Sequence, residues 1–291
     1  MTLSRKGALC LIRFFDIKFT MNIIKFTKMC ATGNDFIVVD NRDKIIEDVH
    51  AFSKHVCERR FGIGADGVLL LENSEKADFK MRIINADSSE AEMCGNGARC
   101  IARFAQHLKL VSKRTRFETI AGIIEAEVTN NNIRLKMSNP CDMKLNIQLE
   151  VNGEKQTVHY IDTGVPHAIL YFDNIENVDV MAIGSLIRYH KHFSIRGTNV
   201  DFVSINNDDS LNMRTYERGV EGETYACGTG AVASGAISYA LGKMKRMPVS
   251  IKVKGGSLKV DLHYNKGVFS DVFLEGDAQI IYKGKLVYEN S

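Results

Sequence analysis

Three prolines in 291 residues leave no proline-rich linker to mark a domain boundary. Apolar runs are short. Runs such as 68–71 fall far below the roughly 20 residues that a membrane-spanning helix needs, and 101–105 is broken by Arg103. An excess of either charge is also missing: 38 basic residues stand against 35 acidic ones, with the signs interspersed. That excludes a nucleic-acid footprint and a polybasic membrane patch. No CxxC pair occurs among the seven cysteines, which argues against a zinc ribbon, a thioredoxin-like site and a metal centre of that kind. The cysteine count is odd and no secretory signal precedes them, so free thiols in a reducing cytoplasm are expected.

The remaining composition is that of a globular chain, 45% hydrophobic and 25% charged, long enough for two domains. The first twenty residues fit poorly. Their apolar part is broken by Arg13 and Asp16 and lacks a small-residue cleavage site. The alternating strand pattern begins at Met21, so residues 1–20 read as an N-terminal extension outside the fold.

The chain resembles itself. FKMRIINADSSEAEMCGNGA (79–98) aligns with LNMRTYERGVEGETYACGTGA (211–231), with one residue inserted in the second copy. Downstream, TIAGIIEAEV (119–128) aligns with VKGGSLKVDL (253–262) at nearly the same offset. Elements matched in order point to a duplicated unit. Each copy runs strand, polar loop, Cys-Gly-x-Gly, helix. Ala98, Ile101, Ala102, Ala105 and Leu108 recur at helical spacing in the first copy. AVASGAISYAL (231–241) is small and apolar almost all round, which suits a helix buried on every side. The expected fold is α+β: two pseudo-symmetric domains from an internal duplication, each a curved mixed sheet or barrel around a central helix. The expected halves are 21–140 and 141–279, with the active site in the cleft between them.

Cys94 and Cys227 occupy equivalent positions where the two helices begin. Free N–H groups and the helix dipole favour a thiolate there and can bring a thiol pKa into the range of about 3.5–7.5. The same N–H groups can hold a carboxylate. Two thiols across one cleft suit inversion of a carbon centre. One removes the α-proton and the other delivers a proton to the opposite face, with no cofactor required. A lone cysteine is usually a small core residue, and Cys10, Cys30, Cys57, Cys100 and Cys141 keep that reading. The paired helix-start context lifts Cys94 and Cys227 above it. GIGADG (62–67) satisfies GxGxxG, but a helical stretch precedes it and a strand follows, the reverse of a dinucleotide fingerprint. It reads as a tight loop instead.

Four segments carry a family likeness: GNDFIVVD (33–40), NADSSEAEMCGNGARC (85–100), GTNVDF (197–202) and YERGVEGETYACGTGA (216–231). With these the sequence resembles the pyridoxal-independent diaminopimelate epimerases over 21–288. The resemblance implies interconversion of LL- and meso-diaminopimelate on the route to lysine and peptidoglycan precursors. It implies Cys94 and Cys227 as the acid and base, with His167 and Glu217 as auxiliary residues tuning them. Asn34, Asn85 and Asn199 would bond substrate polar groups. Gly95 with Asn96, and Gly228 with Thr229, would bind at the two helix starts. Glu217 and Arg218 would read the amino and carboxylate groups, Arg218 taking the distal carboxylate. The resemblance also implies that about 280–291 return to join the first half, and, because Tyr282 falls where the family has a dimer-interface tyrosine, it implies a homodimer. Departures are Val165, where the family often has Asn; Gly67, where some members place Gln; and Ser88, where Gly is common.

Three alternatives remain. Val165 motivates a racemase of another amino acid using the same thiols. A thiol redox enzyme is disfavoured because redox pairs usually share one local motif. A binding module without catalysis gains little from two intact thiol motifs.

Overall fold

The computed structural model describes residues 21–289, apart from 131 and 194. The N-terminal extension expected at 1–20 lies outside the described residues. In chain order the first half contains β1 (Met21–Ala31), β2 (Asn34–Asp40), α1 (Val49–Cys57), β3 (Gly67–Glu72), β4 (Phe79–Asn85), β5 (Glu90–Ala91), α2 (Gly95–His107), β6 (Arg114–Thr119), β7 (Gly122–Val128) and β8 (Asn132–Lys136). There follow β9 (Cys141–Val151), β10 (Glu154–Asp162), β11 (Pro166–Tyr171), α3 (Val180–Arg188), β12 (Asn199–Ile205), β13 (Ser210–Glu217), β14 (Gly222–Thr224) and α4 (Gly228–Ala240). The chain closes with β15 (Val249–Val253), β16 (Gly256–Asn265), β17 (Val268–Asp277) and β18 (Gln279–Glu289). The class is the expected α+β, dominated by sheet.

The duplication is visible in the strand pairing. β2 lies parallel to β3, β3 antiparallel to β4, and β4 parallel to β6. In the same way β11 lies parallel to β12, β12 antiparallel to β13, and β13 parallel to β15. The hairpin β6–β7 matches β15–β16, and Gly122 and Gly256 open the second strand of each at φ +119° and +143°. Both angles lie where a side chain is poorly tolerated. The sheets meet where β8 pairs antiparallel with β17, and β18 returns to lie antiparallel to β1.

Helix burial divides along the same symmetry. α1 packs on one side of the first sheet, where Phe52 and Val56 meet Ile37, Val39, Val68 and Leu70. α3 does the same in the second half, where Val180 and Ile187 meet Val200 and Phe202. α2 and α4 instead share one continuous core with the opposite sheet faces, including Leu69, Ile83 and Leu135 in the first half and Val203, Met213 and Val260 in the second. Residues 230–238 of α4 are all buried, as its all-round apolar sequence requires.

The four caps differ in kind. Asp48 caps α1, accepting from His50 N at 3.0 Å and Ala51 N at 2.9 Å, and Asp179 caps α3, accepting from Ala182 N at 3.0 Å. Aspartate is an ordinary N-cap residue. The two central helices are capped by Cys94 and Cys227, whose sulfurs are weak acceptors. A poor cap at both equivalent positions points to chemistry rather than to helix stability.

Of the other cysteines, Cys57 and Cys100 are buried and Cys30 is partly buried. Cys141 departs from its core reading. It opens β9 and is exposed although it shares parity with the buried Leu149 and Val151, because positive φ at Asp142 (+53°) and Asn146 (+58°) breaks the strand's alternation.

Candidate active site

Both thiols sit in extended backbone immediately before a helix, with φ −141° at Cys94 and −119° at Cys227. Cys94 Sγ accepts from Gly97 N at 3.5 Å, and Cys227 Sγ from Gly230 N at 3.4 Å. The two helix starts converge on one side chain. A Cβ at Gly95 would lie 3.8 Å from Leu274 Cδ2, and one at Gly228 would lie 2.9 Å from the same methyl. Leu274 is fully buried on β17, between Val260 of β16 and Leu135 of β8. It therefore stands at the seam of the two halves and spaces the helix N-termini.

Electrostatics also join the thiols. Burial raises the Cys94 thiol above its ordinary pKa; the N–H groups of Gly97 and Asn96 oppose this, and the Glu217 carboxylate adds to it. Burial pushes Cys227 further up, reinforced by Glu217 and Asp201 and opposed by Thr229 and Gly230 N. Glu217 thus acts on both sulfurs. Its own carboxyl is raised, mainly by burial, with Thr224 and His167 working the other way. The expectation that helix amides would bring the thiols below their ordinary value is corrected here. The amides act in that direction, but removal from water outweighs them.

The other sequence-predicted residues surround this pair unevenly. Asn34 opens β2, and its buried Oδ1 has no partner among the described residues, so it offers an acceptor to a ligand. Asn85 ends β4 and donates from Nδ2 to Ser89 Oγ at 2.9 Å. Asn96 turns inward: its Oδ1 accepts from Thr32 Oγ1 at 3.1 Å and Arg99 at 2.8 Å. Asn199 holds backbone on both sides, donating to Pro166 O at 3.1 Å and accepting from Arg218 N at 2.8 Å. It thereby ties the strand bearing His167 to the loop bearing Arg218. Arg218 donates to Arg196 O at 3.2 Å and forms no ion pair among the described residues. His167, on β11, is buried against Asp201 and Thr229. Tyr282 lies elsewhere, edge-on to Phe26 on the β1–β18 ribbon and 46% exposed. At Gly67 a Cβ would stand 2.9 Å from Ile84 O, so a longer residue there requires the backbone to shift.

Sequence reasoning missed two buried charges. Arg99, on α2, is completely buried without a carboxylate partner among the described residues. It donates to Thr32 Oγ1 and Asn96 Oδ1, both at 2.8 Å, and to Asp277 O at 3.1 Å. Its charge favours the Cys94 thiolate. Asp201 is fully buried beside His167. The signal was present, since an acid within the apolar strand NVDFVSI is costly to bury unless something binds it.

The profile of the diaminopimelate epimerases matches residues 26–141 and 159–281, one segment in each half. The chain belongs to the diaminopimelate epimerase family. It is 40% identical over 278 residues to the diaminopimelate epimerase of Aquifex aeolicus, covering 91% of this chain and 99% of that one. It is 43% identical over 261 residues to that of Chlorobaculum tepidum, covering 89% and 99%. The fold extends beyond the family. A phenazine biosynthesis protein of the PhzF family from Bacillus anthracis superposes with TM-score 0.73 at 15% identity, covering 92% of this chain and 100% of that one. A hydroxyproline epimerase from Agrobacterium vitis does so with TM-score 0.64, also at 15% identity, covering 92% and 93%.

Proposed function

We propose that this chain is an isomerase that interconverts LL- and meso-2,6-diaminopimelate by two-base proton transfer between Cys94 and Cys227, in lysine and peptidoglycan precursor synthesis. The observation that carries the reading is the convergence of two cysteine-capped helices on Leu274, with Glu217 acting on both sulfurs. One thiolate takes the α-proton, breaking the C–H bond and leaving its electron pair on carbon. The opposite thiol delivers its proton to the other face and becomes the thiolate. Nothing is oxidised or reduced, and no cofactor enters the balance.

The helix amides at Gly95–Asn96 and Gly228–Thr229 are suited to the carboxylate of the reacting centre, where charge develops. Glu217 is suited to the ammonium. That pairing offsets the repulsion its carboxylate exerts on both thiols, so substrate binding itself favours proton removal. The guanidinium of Arg218, without a carboxylate partner among the described residues, supports recognition of the distal carboxylate and favours diaminopimelate over a shorter amino acid. Asn34 supplies its unpartnered acceptor, with Asn85 and Asn199 completing the polar wall. The same reading divides the chain into halves 21–140, joined by about 280–291, and 141–279. It also includes a cytoplasmic location and a homodimer contacting through Tyr282. Among the described residues no helix is long and apolar enough to cross a membrane.

In D2O, the enzyme should place deuterium at the α-carbon of diaminopimelate, and lysine and alanine should not exchange. Absence of exchange with protein that is folded and reduced overturns the reading. Exchange of lysine as readily as diaminopimelate overturns the role of Arg218.

A further inference from the structure

A line of buried polar side chains leads to Cys227. Thr215 Oγ1 donates to Asp201 Oδ1 at 2.7 Å, and Asp201 Oδ2 meets His167 Nδ1 at 2.7 Å. His167 Nε2 meets Thr229 Oγ1 at 3.0 Å, and Thr229 Oγ1 meets Cys227 Sγ at 3.4 Å. The His167 and Asp201 side chains are fully buried. The first turn of α4 is shaped to admit this carboxylate, since a Cβ at Gly230 would lie 2.5 Å from Asp201 Oδ1.

The order of donors follows from the carboxylate. A carboxylate at Asp201 only accepts, so the imidazole donates to it from Nδ1, and as a neutral ring it presents the Nε2 lone pair to Thr229. Thr229 then donates its hydroxyl to Nε2 and can accept from the Cys227 thiol. Among the described residues nothing equivalent is hydrogen-bonded to the other sulfur. Among the described residues Cys94 meets backbone N–H groups, with no imidazole or hydroxyl against it.

We propose that Asp201 is a positioning residue that, through His167 and Thr229, gives the Cys227 thiol a route for its proton that Cys94 lacks. The step balances. The thiol proton passes to Thr229 Oγ1, the hydroxyl proton passes to His167 Nε2, and the products are a thiolate and an imidazolium held by Asp201. The inference rests on the two-thiol reading, but its test reads sulfur reactivity directly, so it can fail while that reading stands.

The test turns on a sign. The groups facing Cys227 are Glu217, Asp201, Thr229 and the Gly230 N–H, and the two acids push the thiol up. If Asp201 acted only by its charge, Asp201→Asn would lower the pH at which iodoacetamide alkylates Cys227. If it supports the imidazolium, the same variant raises that pH, because the proton loses its acceptor. Full-length enzyme would be alkylated across the neutral and alkaline range and each cysteine quantified by peptide mass spectrometry.

An upward shift at Cys227 with Cys94 unmoved is expected. Epimerisation kcat should also fall about a hundredfold with little change in KM, the low end for loss of a positioned base. A downward shift, no shift, or parallel shifts at both cysteines overturns the proposal. Thr229→Val, near in shape but without the hydroxyl, should reproduce the upward shift, and Thr229→Ser should keep the wild-type profile. These two carry the test if Asp201→Asn fails to fold.

Discussion

Leu274→Ala separates the spacing of the thiols from the stability of the protein. The side chain is fully buried and its Cδ2 faces both Gly95 and Gly228. Removing its three terminal carbons forfeits about 2.4 kcal/mol of transfer free energy at roughly 0.8 kcal/mol per carbon. Incomplete collapse of the cavity brings the total to about 3–5 kcal/mol. A chain with stability on the order of 10 kcal/mol stays folded after such a loss. Catalysis should suffer more than that figure suggests, because the spacer between the helix starts is gone. A displacement of about 1 Å between reacting groups can cost about a hundredfold in rate. Urea unfolding measures the first effect, and kcat under conditions where the variant is folded measures the second. Leu274→Met, which nearly conserves volume, should cost less than about 1.5 kcal/mol and keep most of the rate. A folded Leu274→Ala enzyme with wild-type kcat would refute the spacing role.

Glu217→Gln removes the carboxylate that raises both thiols, so the alkylation onset of Cys94 and of Cys227 should move to lower pH together, while kcat/KM falls at least about tenfold from loss of a charged contact; an unmoved onset at either cysteine contradicts the shared site. Gly230→Ala should lower the melting temperature despite the higher helix propensity of alanine, because its Cβ meets Asp201 at 2.5 Å, whereas Gly222→Ala, with nothing within 4 Å and no positive φ, should be neutral to slightly stabilising. The reverse order in thermal scans counts against the packing described for α4. Burial pushes the Asp35 carboxyl up, but Arg59 and Lys28 outweigh it and hold the pKa at about 2, below its ordinary 3.8. A depressed acid contributes stability above its unfolded pKa and loses it as pH falls toward the folded value. Asp35→Asn should therefore destabilise by about 2 kcal/mol near neutrality and by little at pH near 2. An acid-independent difference in urea midpoints removes the ion cluster from the account.

The repeat made much of this arrangement legible. Matching Cys94 with Cys227 located both helix starts, and the pattern of 231–241 foretold a helix with no exposed face. Those features are local, set by residues within one or two turns of each other. The direction of the thiol pKa was not legible, because it depends on burial supplied from far along the chain. Leu274 stands 180 positions beyond Cys94 and still lies against the residue that follows it. Asp201 and Arg99 fall between these extremes. Each is a charge within an apolar element, which signals a bound group, but the partners come from other strands. The Asn199 amide was read as a substrate contact, whereas its two backbone partners became apparent only once β11, β12 and the loop after β13 were assembled.

The return of β18 to β1 has a consequence for biosynthesis. Every pairing from Met21–Glu289 to Cys30–Gln279 joins the first described strand to the last described one. The first sheet therefore leaves the ribosome with one edge of β1 unpaired, and at 5–20 residues per second it waits on the order of ten to fifty seconds for its neighbour. An unpaired edge is a template for strands of other chains. The order in which this polypeptide is made, and not only its final packing, sets how long that edge stays open to them.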